Sequence, residues 1–158
     1  IDNSVNVFKE VKLALELKKS PDSQDFPLYV AEIDSEKFYI IPIRGNGLWN
    51  AIFGYISLKE DLNTIKGVVF DHVGETAGLG GEVDNPAWKA QWSGKTIYKD
   101  DGVALKVIKG VASAESPKFN YQVDGLSGAT LTSRGVENLV SYWMGDDGFG
   151  PILAGFRG

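Results

Sequence analysis

The stretch Leu28-Tyr29-Val30-Ala31-Glu32-Ile33-Asp34-Ser35-Glu36-Lys37-Phe38-Tyr39-Ile40-Ile41-Pro42-Ile43 decides the fold class. Residues 28–33 and 37–43 are rich in β-branched and aromatic side chains, and Asp34-Ser35 separates them as a hairpin turn would. A second such pair follows at 51–59 and 65–72, joined by the polar residues 60–64. Two consecutive hairpins predict an antiparallel sheet. Next comes a glycine-dense loop, 74–81, and then a short helix over 86–92 with Pro86 in its first turn. Residues 103–108 and 119–123 read as later strands. The strongest helical signal is 132–144, where Val136, Leu139, Val140 and Trp143 share one face and Gly145 ends the run. The glycine-rich tail, 148–158, reads as irregular. Upstream, Val5, Phe8, Val11 and Leu15 recur at helical spacing over 4–19, and Ser20-Pro21-Asp22 stops them. The sum is a single α+β domain, an antiparallel sheet flanked by helices.

Composition narrows the chemistry. The chain has 158 residues with 43% hydrophobic and 23% charged content, enough apolar material for one core. A net charge of −5 with scattered basic residues supplies no stripe for nucleic acid and no attraction to anionic lipid. Cysteine is absent and His72 is the lone histidine, which excludes disulfides, thiolate metal sites and cysteine nucleophiles. Redox chemistry here therefore needs an organic cofactor. No apolar run reaches the roughly 18 residues of a membrane span, and none reads as a signal peptide. The chain begins at Ile1 without methionine, and we expect a processed or trimmed piece. The aspartate pairs Asp100-Asp101 and Asp146-Asp147 each precede glycine and read as turns, without calcium-loop spacing.

Asp124-Gly125-Leu126-Ser127-Gly128-Ala129-Thr130-Leu131-Thr132-Ser133 follows a strand and opens the last strong helix. Gly and Ala let backbone approach a ligand closely. The free N–H groups of a first helical turn, with the helix dipole, favour an anion. Hydroxyls at Ser127, Thr130, Thr132 and Ser133 add donors for phosphate oxygens. The ordinary alternative is that Ser or Thr simply caps the helix.

This stretch resembles the flavinylation motif of the FMN-binding domain family, Asp-Gly-x-Ser/Thr-Gly-Ala-Thr. Two further segments carry the same resemblance. Gly45-Asn46-Gly47-Leu48-Trp49 is similar to a Gly-x-Gly-Leu-Trp segment of the C subunits of sodium-translocating NADH:quinone reductases. His72-Val73-Gly74-Glu75-Thr76-Ala77-Gly78-Leu79-Gly80-Gly81-Glu82 is similar to a His-x-x-Glu-Thr-Pro-Gly-Leu-Gly loop, with Ala77 in place of proline. The likeness covers about residues 27–155. It implies FMN held by a phosphoester on Thr130, attached from FAD by a separate flavin transferase. It also implies a one-electron relay among the other subunits of a membrane complex that oxidises NADH, reduces quinone and moves sodium. On this reading residues 27–158 are the FMN-binding domain and 1–20 a juxtamembrane helix. The membrane is reached through an N-terminal helix absent from this chain, and the domain lies on the periplasmic side of a bacterial inner membrane. The domain itself is an electron carrier without catalytic residues or metal. The equivalent flavin-bearing protein of Rnf-type electron-transport complexes is the alternative, and a non-redox binding module a second one.

The resemblance also assigns roles. Ser127 and Thr132 would hold phosphate oxygens, while Gly128 and Ala129 give room. Glu75 and Thr76 would face the ring or ribityl chain, with Leu79 and Gly80 along one face of the ring. Trp49 is either core or a wall beside the ring. Lys109 is either a counter-charge for reduced flavin or a solvated lysine. Asp124 would face away, bind backbone amides or assist attachment through a metal. His72 is read as a satisfied histidine at a strand end. A hydrolase built on Ser127 and His72 finds no support, because residues 125–129 break the Gly-x-Ser-x-Gly pattern.

Overall fold

The structure, a computed structural model, describes residues 15–20 and 23–158. Strands β1 (Tyr29–Ile33), β2 (Glu36–Asn46), β3 (Ala51–Leu58) and β4 (Ile65–His72) form one antiparallel sheet in chain order. Asp34 and Ser35 both adopt left-handed backbone, with φ of 52° and 66°. Two such residues in succession give the turn whose twist matches paired strands. Opposite register partners Ile41 and Ile56 are buried on one face of the sheet, with Ile43, Ile52, Leu58 and Phe70. This face is the floor of the core.

Beyond β4 come a 3-10 turn (Gly80–Asp84) and helix α1 (Pro86–Ala90). The Asn85 side chain caps α1 by accepting from the amides of Ala87 and Trp88. Trp88 and Trp92 pack with Phe70 of β4, with ring centroids 5.1–5.7 Å apart. Two short pairs follow. One is β5 (Tyr98–Lys99) with β6 (Gly102–Val103), antiparallel. The other is β7 (Lys106–Ile108) with β8 (Gln122–Asp124), parallel. Helix α2 (Thr130–Met144) then crosses the sheet, and α3 (Gly150–Arg157) closes the chain.

Several expectations are corrected. The strand expected at 103–108 is broken in two, and 119–121 is a 3-10 turn ahead of β8. The tail is helical rather than irregular. Pro151 stands in the first turn of α3, Phe149 and Leu153 bury one side, and Arg157 sits at the carboxyl end. Helix α2 begins at Thr130, two residues earlier than its apolar pattern. The amphipathic helix expected over 4–19 lies outside the described residues except for its last few, of which Leu15 and Glu16 are helical.

Close backbone contact seats α2 on β2. A Cβ on Gly45 would lie 2.5 Å from Leu139 Cβ, and one on Gly135 would lie 2.2 Å from the Asn46 carbonyl oxygen. Trp143 Nε1 adds a hydrogen bond to the Arg44 carbonyl at 2.7 Å. In an open helix, glycine to alanine stabilises by up to about 1 kcal/mol. Here Gly135→Ala should instead lose about 1–3 kcal/mol by overpacking. A lower urea midpoint at unchanged m-value is the expected result.

Candidate functional site

The loop between β8 and α2 is held from within. The Gly125 amide donates to the Gly110 carbonyl at 3.0 Å, and a Cβ there would lie 2.3 Å from the Ile108 carbonyl oxygen. Gly125 thus lets the loop lie against the end of β7. Ser133 Oγ accepts from the Leu126 amide at 2.9 Å and donates to the Ala129 carbonyl at 3.0 Å. This buried hydroxyl staples the loop rather than facing a ligand. Asp124 Oδ1 accepts from the Ala112 amide at 2.8 Å, which matches one of its expected roles. Gly128 has φ +70°, where an L side chain is strained, and a Cβ would meet Leu79 Cδ2 at 2.9 Å.

What the staple leaves outside is Ser127, Gly128 and Thr130, all exposed. No side chain caps α2: its N-cap position is Ala129, itself buried. Ordinary capping by Ser or Thr is therefore not what these residues do. The first-turn amides of α2 have no partner within the helix.

Thr130 opens on a cleft of about 560 Å³, within the range of small-molecule sites. Ser127, Gly128 and Thr130 line one wall. Lys109, Gly110 and Val111 line the other, and Arg134 and Glu137 extend the site along α2. Lys109 and Arg134 are exposed cations. The Glu137 carboxylate is already engaged, accepting from Lys106 Nζ at 3.2 Å and the Val107 amide at 2.9 Å. The cations Lys109 and Arg134 thus line the cleft together with the carboxylates of Asp124 and Glu137, both of which accept bonds from the protein.

The other expected residues gather around a second centre. Glu75 is buried. Its Oε2 accepts from Thr132 Oγ1 at 2.6 Å and its Oε1 from the Trp49 amide at 2.9 Å. The amide of Glu75 donates to His72 Nδ1 at 3.0 Å, so His72 is satisfied at its strand end. Gly47 and Gly80 press on the carboxylate: a Cβ on either would lie 2.4 or 2.3 Å from a carboxylate oxygen. Burial opposes ionisation of Glu75. Bonds from Thr132 and from the amides of Trp49 and Asn50, with His72 nearby, outweigh it and hold the carboxyl below its ordinary pKa.

The hydroxyl of Thr132, expected at the phosphate, is directed to Glu75, and the carboxylate of Glu75, expected at the flavin, accepts bonds from within the protein. Thr76 is exposed, and its carbonyl closes a turn by accepting from Leu79 and Gly81. Gly80 packs on Glu75 and lies away from the cleft wall. Trp49 is 69% exposed and is not core. Leu48, Leu79 and Leu131 are exposed on the segments this carboxylate joins. Sequence reasoning missed Arg134, Glu137 and the end of β7. The Arg134 signal was available, since it stands four residues after Thr130 and so on the same helix face.

A family model described as FMN-binding domain matches residues 47–145, from the β2–β3 turn to the end of α2. The chain belongs to the FMN-binding domain family. This FMN-binding domain is 52% identical over 132 residues to the C subunit of the Na(+)-translocating NADH-quinone reductase of Pseudomonas aeruginosa, covering 82% of this chain and 51% of that protein. It is 50% identical over 119 residues to the corresponding protein of Vibrio parahaemolyticus, covering 75% and 44%. The domain spans about half the length of these curated relatives. Among solved structures, Shewanella oneidensis NqrC superposes with a TM-score of 0.76 at 34% identity, over 89% of this chain and 67% of that one. The C subunit of the Na(+)-translocating NADH-quinone reductase from Parabacteroides distasonis gives 0.72 at 34% identity, over 92% and 67%. The single α+β domain expected from the hairpins is the fold of this family.

The lowered pKa of Glu75 has a sign. Stabilisation by its bonds is complete above the ordinary carboxylate pKa and is lost as pH falls through the lower folded value. Glu75→Gln should lower stability by about 1–3 kcal/mol at about pH 7. The gap to wild type should narrow as pH is taken from neutrality down through the lowered Glu75 value, below which both side chains are neutral. Urea midpoints across that range check it.

Proposed function

We propose that this domain carries FMN on Thr130 through a phosphoester and relays electrons as the flavin subunit of a sodium-translocating NADH:quinone reductase. The observation that carries the reading is Thr130, exposed at an uncapped helix start and opening on a cleft lined by the cations Lys109 and Arg134. The residues fit the group. Amides of the first turn of α2 and the Ser127 hydroxyl face phosphate, and Lys109 and Arg134 offset its charge. Gly128 leaves space against Leu79 that any side chain would fill. Leu79 and Trp49, exposed beside this junction, offer apolar surface to a flat ring.

FMN supplies the redox chemistry when bound, and the protein supplies position and electrostatics. Thr130 Oγ1 would take the FMN phosphoryl group from FAD in the presence of a flavin transferase. An oxygen–phosphorus bond forms, the diphosphate bond breaks, AMP leaves, and the threonine proton is lost to a base. A cofactor fixed this way cannot dissociate between turnovers, which suits a relay. The relatives' names, each a component of a reductase, support partners within a membrane redox complex. We further place residues 1–20 as a juxtamembrane piece and 27–158 as the flavin-bearing domain on the periplasmic side of the membrane.

Coexpression with a flavin transferase should add the mass of one FMN and flavin absorbance to the wild type. Thr130→Ala should remove both, and Thr130→Ser should keep them. Flavin addition persisting in Thr130→Ala would refute the assignment.

A further inference from the structure

We infer that Glu75 is a positioning residue for flavin attachment, acting through Thr132 to set the first turn of α2 and with it the Thr130 hydroxyl. The inference rests on the reading of Thr130 as the acceptor. Thr132 stands two residues after Thr130 in the same turn, 1% exposed, with its hydroxyl 2.6 Å from Glu75 Oε2. The other oxygen of the same carboxylate is held by the Trp49 amide of the β2–β3 turn at 2.9 Å. One rigid planar group therefore joins the start of the acceptor helix to the edge of the sheet.

The carboxylate has no room to swing. Gly47 packs on Oε1 and Gly80 on Oε2, each so close that a Cβ would overlap it. Neither residue is drawn to that spot by turn geometry alone, since among the described residues neither has a positive φ. A buried ionised group is a costly way to fill space. Directional bonds are what it provides over an apolar side chain. Its charge also lies at the first turn of α2, where the helix dipole favours an anion. That same dipole favours the incoming phosphate. Two opposed expectations follow for loss of the latch. If charge competition dominates, weakening Glu75 aids binding of the anionic donor. If position dominates, the transfer step slows. The confined geometry favours position, because an in-line phosphoryl transfer needs its nucleophile fixed in distance and angle.

The test is transferase-catalysed flavin incorporation into the full chain with FAD as donor, comparing wild type, Thr132→Val, Thr132→Ser and Gly47→Ala. Folding is checked by circular dichroism melts, with assays run well below each Tm. Gly47→Ala crowds the carboxylate, and Ile52 beside it, from the side of the β2–β3 turn while leaving the sequence of α2 unchanged. We expect kcat to fall about tenfold or more in Thr132→Val and Gly47→Ala, with KM for FAD within about twofold of wild type. Thr132→Ser, which keeps the hydroxyl, should return kcat to within about threefold of wild type. Wild-type kcat in folded Thr132→Val and Gly47→Ala overturns the inference. So does a loss confined to Thr132→Val, which would assign that hydroxyl to the phosphate. If Gly47→Ala does not fold, Glu75→Gln takes its place, and a wild-type kcat in that folded variant overturns the inference. A wild type that takes no flavin sinks the Thr130 reading itself.

Discussion

The carboxylate of Glu75 lies where the β2–β3 turn, the loop after β4 and the first turn of α2 meet, and each of them depends on it for a hydrogen bond or a close contact. These are the segments that carry the three sequence motifs. Their occurrence together thus has a physical cause: a glutamate needs donors on both oxygens, and two glycines must leave space for it. The loop after β4 is further tied to its own strand through His72, whose ring nitrogen accepts the Glu75 amide. Around that junction the rest of the site follows. Gly135 seats α2 on β2, Ser133 closes the loop before it, and Glu137 anchors its flank to β7.

This arrangement separates two kinds of residue that sequence motifs mix. Thr132, Ser133, Glu75 and Gly80 hold the frame. Ser127, Gly128 and Thr130 are left on the outside of it, with Lys109 and Arg134 nearby. The hydroxyls of Thr130 and Thr132 are two residues apart, yet one is exposed and the other nearly inaccessible. Helical geometry alone sends them to different faces, and the buried carboxylate draws one of them inward.

Much of the fold was legible because its signals are local. Both hairpins of the sheet could be placed from runs rich in β-branched and aromatic residues, and Asp34-Ser35 from turn chemistry that tolerates positive φ. The loop before α2 was legible through its resemblance to the flavinylation motif, since Ser and Thr ahead of a helix are ordinarily caps. What stayed hidden is non-local. Pairing of Thr132 with Glu75 spans 57 positions, and nothing near either residue announces it. Strands are expected from the sequence at 103–108 and 119–123, but their parallel pairing as β7–β8 has no local signal. Helix α3 was masked by glycines, although Phe149 and Leu153 have helical spacing. Arg134 was hidden by context, since an arginine on a helix surface is usually solvated.

The bonds that shape the cleft all run from protein to protein. Leu126 and Ala129 are secured by Ser133, Val107 by Glu137, and Ala112 by Asp124. None of these awaits a bound nucleotide to complete it. Under the proposed attachment at Thr130, such a framework lets the polypeptide reach its native shape first and receive its cofactor afterwards, without refolding.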